Sequence, residues 1–467
     1  DLGTKAFGAD PFWVGELGTA YIAGLHEGSG ARLLVVPRHL PGLGSADRPL
    51  EDEVPTVQKP LEQLKQIELA PFFAATKSLP GASADAADGF LVTHIRYRGF
   101  QGNNIRRTTR PISLDAPALQ LVTSLKEVLP WREAGGLLVA DNLGLASVHL
   151  SYDPTGQTFN ARRVLQDALS AGNDLLILDR FAPPEGDYWA AHFANVRDTL
   201  GYLATRYQDE STFRAIVDQA VYRVLSAKLR LYPEFALDTV LEVPSERPTE
   251  GDVAGATVVS QVALAALTRI YPLSDDLLPP PPQEGETLVV FTQESRAGGA
   301  NEVSPMYGLD GDSVSEAILR FYGPEGTGVV SRSSVQGFTY GDLMEGLAQP
   351  GVTVVEEGEA VTTAVAVNRA LQSADWILFA ATGLRSDDDV AAGALKRFLA
   401  TQANLLDARI AVLSFGPPYE LDTTEISKLA VYYGLYSTGD AFVEAGVRAV
   451  FQDLLAPGAS PVDIPAL

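Results

Sequence analysis

Gly135-Gly136-Leu137-Leu138-Val139-Ala140-Asp141-Asn142-Leu143-Gly144-Leu145 is the stretch on which the fold turns. An unbroken apolar run follows two glycines and stops at a carboxylate, after which small and polar residues turn the chain. A short apolar run without polar alternation reads as a strand covered on both faces, as in parallel sheets. The carboxyl end of such a strand is where α/β and barrel enzymes gather their chemistry. Asp141 is therefore either a catalytic carboxylate or the cap of the following turn, a role Asp often takes.

The same pattern recurs on both sides of this segment. Asp10-Pro11 opens a helix to about Glu27, with Asp as N-cap and Pro in the first turn. Leu33–Val36, Gly89–Thr93 and Asp174–Leu178 read as further buried strands. Helices are expected over Leu61–Leu69, Ser113–Leu129, Asn160–Ser170, Tyr188–Tyr207 and Glu210–Leu229. Strand–helix alternation of this kind implies parallel strands joined by crossovers. Residues 231–255 form a Pro- and Glu-rich linker between a first domain, 1–230, and a second, 256–467. The second begins with an apolar helix over Val258–Ile270 and a stiff Pro279–Pro282 spacer. Its strands are expected at Leu288–Phe291, Val352–Val355, Trp376–Phe379 and Ile410–Leu413, with helices near Val314, Tyr340, Val361, Val390, Thr424 and Ala441.

Composition narrows the function classes. The 467 residues are 46% hydrophobic and 20% charged, enough to bury large cores. A net charge of −24 argues against a nucleic-acid partner, because phosphate would be repelled. Such a charge suits a neutral substrate and a secreted or envelope protein. The absence of cysteine excludes disulfides, thiolate metal sites and cysteine nucleophiles together. No apolar run is long enough to span a membrane. Asp310-Gly311-Asp312 lacks the rest of a calcium loop, so no metal is expected there. Gly298-Gly299 lacks a full dinucleotide fingerprint, and no cofactor is expected.

Several further segments flank Asp141 in order: Phe7-Gly8-Ala9-Asp10-Pro11, Pro37-Arg38-His39-Leu40-Pro41-Gly42-Leu43-Gly44, His94-Ile95-Arg96-Tyr97 and Ala168-Leu169-Ser170-Ala171-Gly172-Asn173-Asp174. Ala220–Lys228, Pro418-Tyr419-Glu420-Leu421 and Pro461–Pro465 come after them. Together they resemble the family 3 glycoside hydrolases, especially the bacterial β-N-acetylglucosaminidases. The resemblance implies the C-terminal half of a (β/α)₈ TIM barrel followed by an α/β sandwich domain with a mostly parallel sheet. Four strands cannot close such a barrel. The expectation is that an upstream segment or a second chain supplies the rest, and that sequence lies before Asp1, with any signal or lipid anchor for an extracellular or envelope location.

The resemblance also assigns roles. Asp141 matches the family's nucleophile, and Arg38 and His39 match its substrate-binding Lys-His pair. Arg keeps the charge of Lys but presents a wide planar fork. His39 reads equally as a buried structural histidine, and His94 either shapes the pocket and binds substrate or is structural. The family's acid/base His, oriented by an Asp, falls on Glu51, with Pro49 where the Asp stands and Leu43 where a second His stands. Glu51 serves as acid only if burial raises its pKa, yet it opens the acidic run Glu51-Asp52-Glu53. Two functions remain open: a retaining β-N-acetylglucosaminidase or β-hexosaminidase acting on cell-wall or other glycans, and a catalytically impaired member serving as a glycan-binding or envelope structural module.

Overall fold

A computed structural model of the chain describes residues 6–50, 53–153, 155, 158–182, 188–232, 234, 236–241, 249–292, 309, 311–354, 361–382, 390–419, 421–460 and 464. The readings at Glu51, Gly298-Gly299, Asp310, Val355, Glu420, Pro461–Asp463 and Pro465 lie outside the described residues. Two units separate between Pro244 and Ser245.

The first unit is built on four parallel strands in the order β1 (Arg38–Leu40), β3 (Gly89–Val92), β5 (Leu137–Ala140) and β6 (Leu175–Leu176). A separate short pair joins β2 (Thr56–Val57) to β4 (Arg96–Tyr97). All four β5 side chains are buried, as an uninterrupted apolar run requires of a strand covered on both faces. Leu138 joins Phe90, Val92 and Trp131 in one core, while Ala140 joins Val164, Leu165 and Ala168 in another. Asn160 caps the helix Ala161–Ala171 by accepting from Arg163 N, and Gly172 ends it at φ 106°. Buried Asp174 then accepts from Leu138 N at 2.8 Å and pairs with Arg132 and Arg223, tying three elements together.

Three expectations need correction here. Leu33–Val36 is not a strand; the strand begins at Arg38. Val35 N donates to the Asp88 carboxylate at 2.9 Å, and Pro37 has no N–H, so the regular ladder starts only beyond it. Ser113–Leu129 is not one helix but the helices Ala116–Thr123 and Leu129–Glu133 after a 3₁₀ turn at Ile112–Leu114. Asp115 caps the first and Pro130 opens the second, so each start signal opened its own helix. The fourth strand is only two residues long, and Ala146–Tyr152 forms a helix that periodicity did not reveal.

The second unit carries a six-stranded sheet in the order β7 (Thr268–Tyr271), β12 (Val431–Gly434), β11 (Arg409–Ser414), β10 (Trp376–Ala381), β8 (Leu288–Thr292) and β9 (Val335–Thr339). All pairs are parallel except β7 with β12. Its two faces bury separate cores, one around Phe291, Phe379 and Phe398, the other around Val290, Leu378 and Leu413. Residues 231–255 are not all linker: helices occupy Leu237–Leu241 and Thr249–Ala266. The helix expected to reach Ile270 stops at Ala266, and Thr268–Tyr271 alternates buried and half-buried as an edge strand. Val352–Val354 forms no strand, and β9 instead pairs beside β8. The family-level architecture holds: an α/β unit of parallel strands precedes an α/β sandwich.

Two measurements test this packing. Asp174→Asn strips the charge from a carboxylate buried between two arginines, so denaturant unfolding should show a loss of roughly 3–5 kcal/mol. Burial holds His149 down to about 4, against 6.5 for a free imidazole. The unfolded chain therefore takes up a proton as pH falls below 6.5 while the folded chain does not, and stability drops across that window. The loss reaches up to about 3 kcal/mol near pH 4. His149→Phe should flatten the slope of thermal stability between those pH values.

Candidate active site

Asp141 stands one residue beyond β5. Its N–H continues the ladder by donating to Val92 O at 3.0 Å, which fixes the backbone from which the carboxylate projects. Asn142 N donates to Asp141 Oδ1 at 2.8 Å. Asp141 Oδ2 lies 3.4 Å from Nδ1 of His39, on β1. That Nδ1 has no hydrogen-bond partner, so the two side chains meet as an electrostatic contact. The side chains are 14% and 16% exposed, covered but reachable. Burial pushes the Asp141 carboxyl up, but the His39 contact and the Asn142 N–H outweigh it and leave the carboxyl below its ordinary value. An ionised carboxylate at a strand end is what attack on an electrophilic carbon requires.

Of the two roles open to His94, shaping the pocket and binding substrate or serving as a structural histidine, its placement favours the structural one. It is fully buried at the end of β3, and both ring nitrogens are taken. Nε2 faces Asn142 O at 3.0 Å, and a carbonyl only accepts, so Nε2 carries the proton. Nδ1 then accepts from Ser113 Oγ at 2.6 Å, since burial disfavours the charged ring. His94 therefore holds the Asp141–Asn142 backbone from beneath. Arg38 is exposed on β1, beside His39 in the chain.

Sequence reading missed the roles of Asn142 and Gly144 in the turn beyond Asp141. Asn142 Oδ1 accepts from Gly144 N at 3.0 Å and Asp179 N at 3.2 Å, drawing the turn against the end of the fourth strand. A Cβ on Gly144 would lie 1.8 Å from Asp179 O, so only glycine allows this approach. Asp179 lies beyond the end of β6, which stops at Leu176, so strand-end reasoning did not mark it. Ser113 gave no signal, because a serine's partner is set by tertiary folding.

The described residues on either side of positions 51 and 52 are held by hydrogen bonds and ion pairs. Asp47 Oδ1 accepts from Thr56 N at 2.7 Å, and Asp47 N donates to Thr56 O at 3.3 Å, closing the loop at its base. Arg48 pairs with Glu53 at 2.8 Å, and Arg107 reaches the same carboxylate at 3.3 Å. Leu50 and Val54 are buried in the core beneath. Glu51 itself lies outside the described residues. No cluster of three or more His, Asp or Glu suited to a metal occurs among the described residues, and no helix among them is long and apolar enough to cross a membrane.

Residues 1–227 match the glycosyl hydrolase family 3 N-terminal domain. The chain is similar to a β-hexosaminidase of Idiomarina loihiensis, 29% identical over 96 residues, which cover 21% of this chain and 26% of that protein. It is also similar to a β-hexosaminidase of Xylella fastidiosa (strain M12), 28% identical over 147 residues, covering 32% of this chain and 37% of that protein. The matched segments thus span well under half of these relatives. Among solved structures, a family 3 β-N-acetylglucosaminidase from Paenibacillus sp. str. FPU-7 superposes with a TM-score of 0.66 at 17% identity, over 100% of this chain and 73% of that one. A fungal multi-domain family 3 β-N-acetylglucosaminidase gives 0.69 at 18% identity, over 100% of this chain and 45% of that one. At such identities the likeness is one of fold.

The geometry around Asp141 makes a spectroscopic prediction. Titration of its carboxyl carbon by NMR should give a midpoint below the 3.8 of a free Asp side chain. His39→Ala should move that midpoint upward, because it removes a contact that favours the ionised form.

Proposed function

Residues 1–227 belong to the N-terminal domain family of the family 3 glycosyl hydrolases, and from that premise we propose a retaining β-glycosidase of the β-N-acetylglucosaminidase or β-hexosaminidase type. Its substrates are glycans such as cell-wall fragments, and its nucleophile is Asp141. The observation that carries this reading is the ionised, partly covered carboxylate at the end of β5 with His39 at 3.4 Å. Asp141 attacks the anomeric carbon as the glycosidic C–O bond breaks, forming a glycosyl-enzyme that water then cleaves. Arg38 and His39 grip sugar hydroxyls beside it.

The leaving oxygen needs a proton, and Glu51 is the proposed donor. A second reading is favoured by Pro49 and Leu43, which stand where the resembled enzymes carry the orienting Asp and a second His. On that reading the site binds glycans with little turnover, since losing a general acid costs roughly 10²–10⁴-fold in rate. A further part of the proposal concerns the barrel. Edge strands β1 and β6 have no outer partner among the described residues, and Trp189, Phe193 and Leu200 lie exposed along one helix face. Both features support completion of the barrel by further strands from an upstream segment or a second chain, and the net charge of −24 suits the secreted or envelope location we propose.

Hydrolysis of nitrophenyl and dinitrophenyl β-N-acetylglucosaminides by the complete protein separates the readings. An active glycosidase should cleave both, and Asp141→Asn should lose more than about 10³-fold on each. Turnover of only the dinitrophenyl sugar, whose leaving group needs no proton, would mark an enzyme lacking its acid. Equal rates for the native protein and Asp141→Asn would remove the nucleophile assignment.

A further inference from the structure

The sheet fixes Asp141 more firmly than it fixes His39. β1 pairs only with β3 among the described residues, and the register of that pairing shifts between Arg38 and Leu40. Leu91 N donates to Pro37 O and Thr93 N to Leu40 O, each at 3.0 Å, so β1 spends one residue more than β3 over the same length. His39 sits in that irregularity. An extra residue in a strand re-aims the side chains around it, and their direction then depends on what holds the chain beyond. The 3.4 Å approach of His39 to Asp141 therefore leans on the segment that leaves β1, Pro41-Gly42-Leu43-Gly44-Ser45.

That segment is seated on Glu68, whose side chain is 4% exposed. Glu68 Oε1 accepts from Ser45 Oγ at 2.6 Å and from Lys59 Nζ at 2.5 Å, and Lys59 Nζ also donates to Ser45 Oγ at 2.6 Å. Gly42, at φ 140°, lies against the same side chain: a Cβ there would stand 2.6 Å from Glu68 Cβ. Gly42 O accepts from the hydroxyl of buried Tyr97 at 2.7 Å, and Leu43 and Ala46 pack on the core below. Glu68 Oε2 is buried without a hydrogen-bond partner. A carboxylate sealed from water with one oxygen unspent is costly, and an apolar side chain of like volume would serve stability as well. The carboxylate adds direction instead, because a hydrogen bond holds Ser45 within a narrow range of distance and angle.

We infer that Glu68 is a positioning residue for His39: it seats the segment leaving β1, and through that segment sets the distance from His39 to Asp141. This rests on the proposed sugar site, where His39 grips hydroxyls beside Asp141. Glu68 acts there through the backbone and Ser45.

The Asp141 carboxyl midpoint, followed by NMR in the complete protein without substrate, tests this. Glu68→Met keeps the volume of the side chain and leaves Lys59 free to turn to solvent, so the fold should stand. Loss of a negative charge alone would pull the Asp141 midpoint down, whereas a His39 that drifts away lets it rise. Glu68→Met should raise the midpoint by roughly half or more of the shift that His39→Ala gives, and should add nothing to His39→Ala in the double variant. Glu68→Gln keeps the acceptor for Ser45 and should restore most of the native midpoint. Ser45→Ala leaves the Glu68–Lys59 pair in place, should also raise the midpoint, and decides the matter if Glu68→Met does not fold. An unchanged or lowered midpoint in a folded Glu68→Met or Ser45→Ala overturns the inference, as does a rise that adds to that of His39→Ala. The expected midpoints without any hydrolysis of a β-N-acetylglucosaminide uphold the inference and remove the hydrolase reading alone.

Discussion

In a parallel sheet every strand ends on the same side, and at this site each functional contact depends on that constraint. β1, β3 and β5 lie side by side, so His39, His94 and Asp141 arrive on one rim although about fifty residues of chain separate each from the next. The ladder bond from Asp141 N to Val92 O extends the sheet just far enough to aim the carboxylate outward. Asn142 then folds the chain back onto the end of β6, and Gly144 permits the close approach that the turn requires.

Beneath the rim runs a chain of hydrogen-bonded polar groups. Asn173 Nδ2 donates to Ser113 O at 2.8 Å, Ser113 Oγ binds His94, and His94 binds Asn142 O. Each group is buried, so each bond lost would strand a desolvated partner at a cost of about 1–3 kcal/mol. This layer gives the Asp141 backbone one position instead of several. Preorganisation of this kind fits the nucleophile role proposed for Asp141, because reaction rate is sensitive to placement at the ångström scale.

Local signals served well where one residue type has one strong physical role. The apolar runs at Leu137–Ala140, Leu288–Phe291, Trp376–Phe379 and Ile410–Leu413 are strands because nothing but a sheet interior accommodates them so briefly. Asp10-Pro11 opens its helix because capping is a local bond. Reading failed where a partner elsewhere decided the outcome. Leu33–Val36 looks like a strand, but its neighbour offers the Asp88 side chain in place of a ladder bond. Thr268–Tyr271 looks like the tail of an apolar helix, and becomes a strand because β12 has a free edge to pair with. β9 and β12 are short segments, one of them holding a glycine mid-run, whose pairing, not composition, makes them strands.

By itself the sequence determined that the chain is α/β with parallel strands, that Asp141 ends one of them, and that its motifs resemble one glycosidase family. Those features are properties of short segments, set by hydrophobic burial and capping within a few residues. Only the tertiary structure decided that His39 meets Asp141 while His94 lies sealed below it. Distances between remote side chains are set by strand order and packing, which no single stretch of chain encodes.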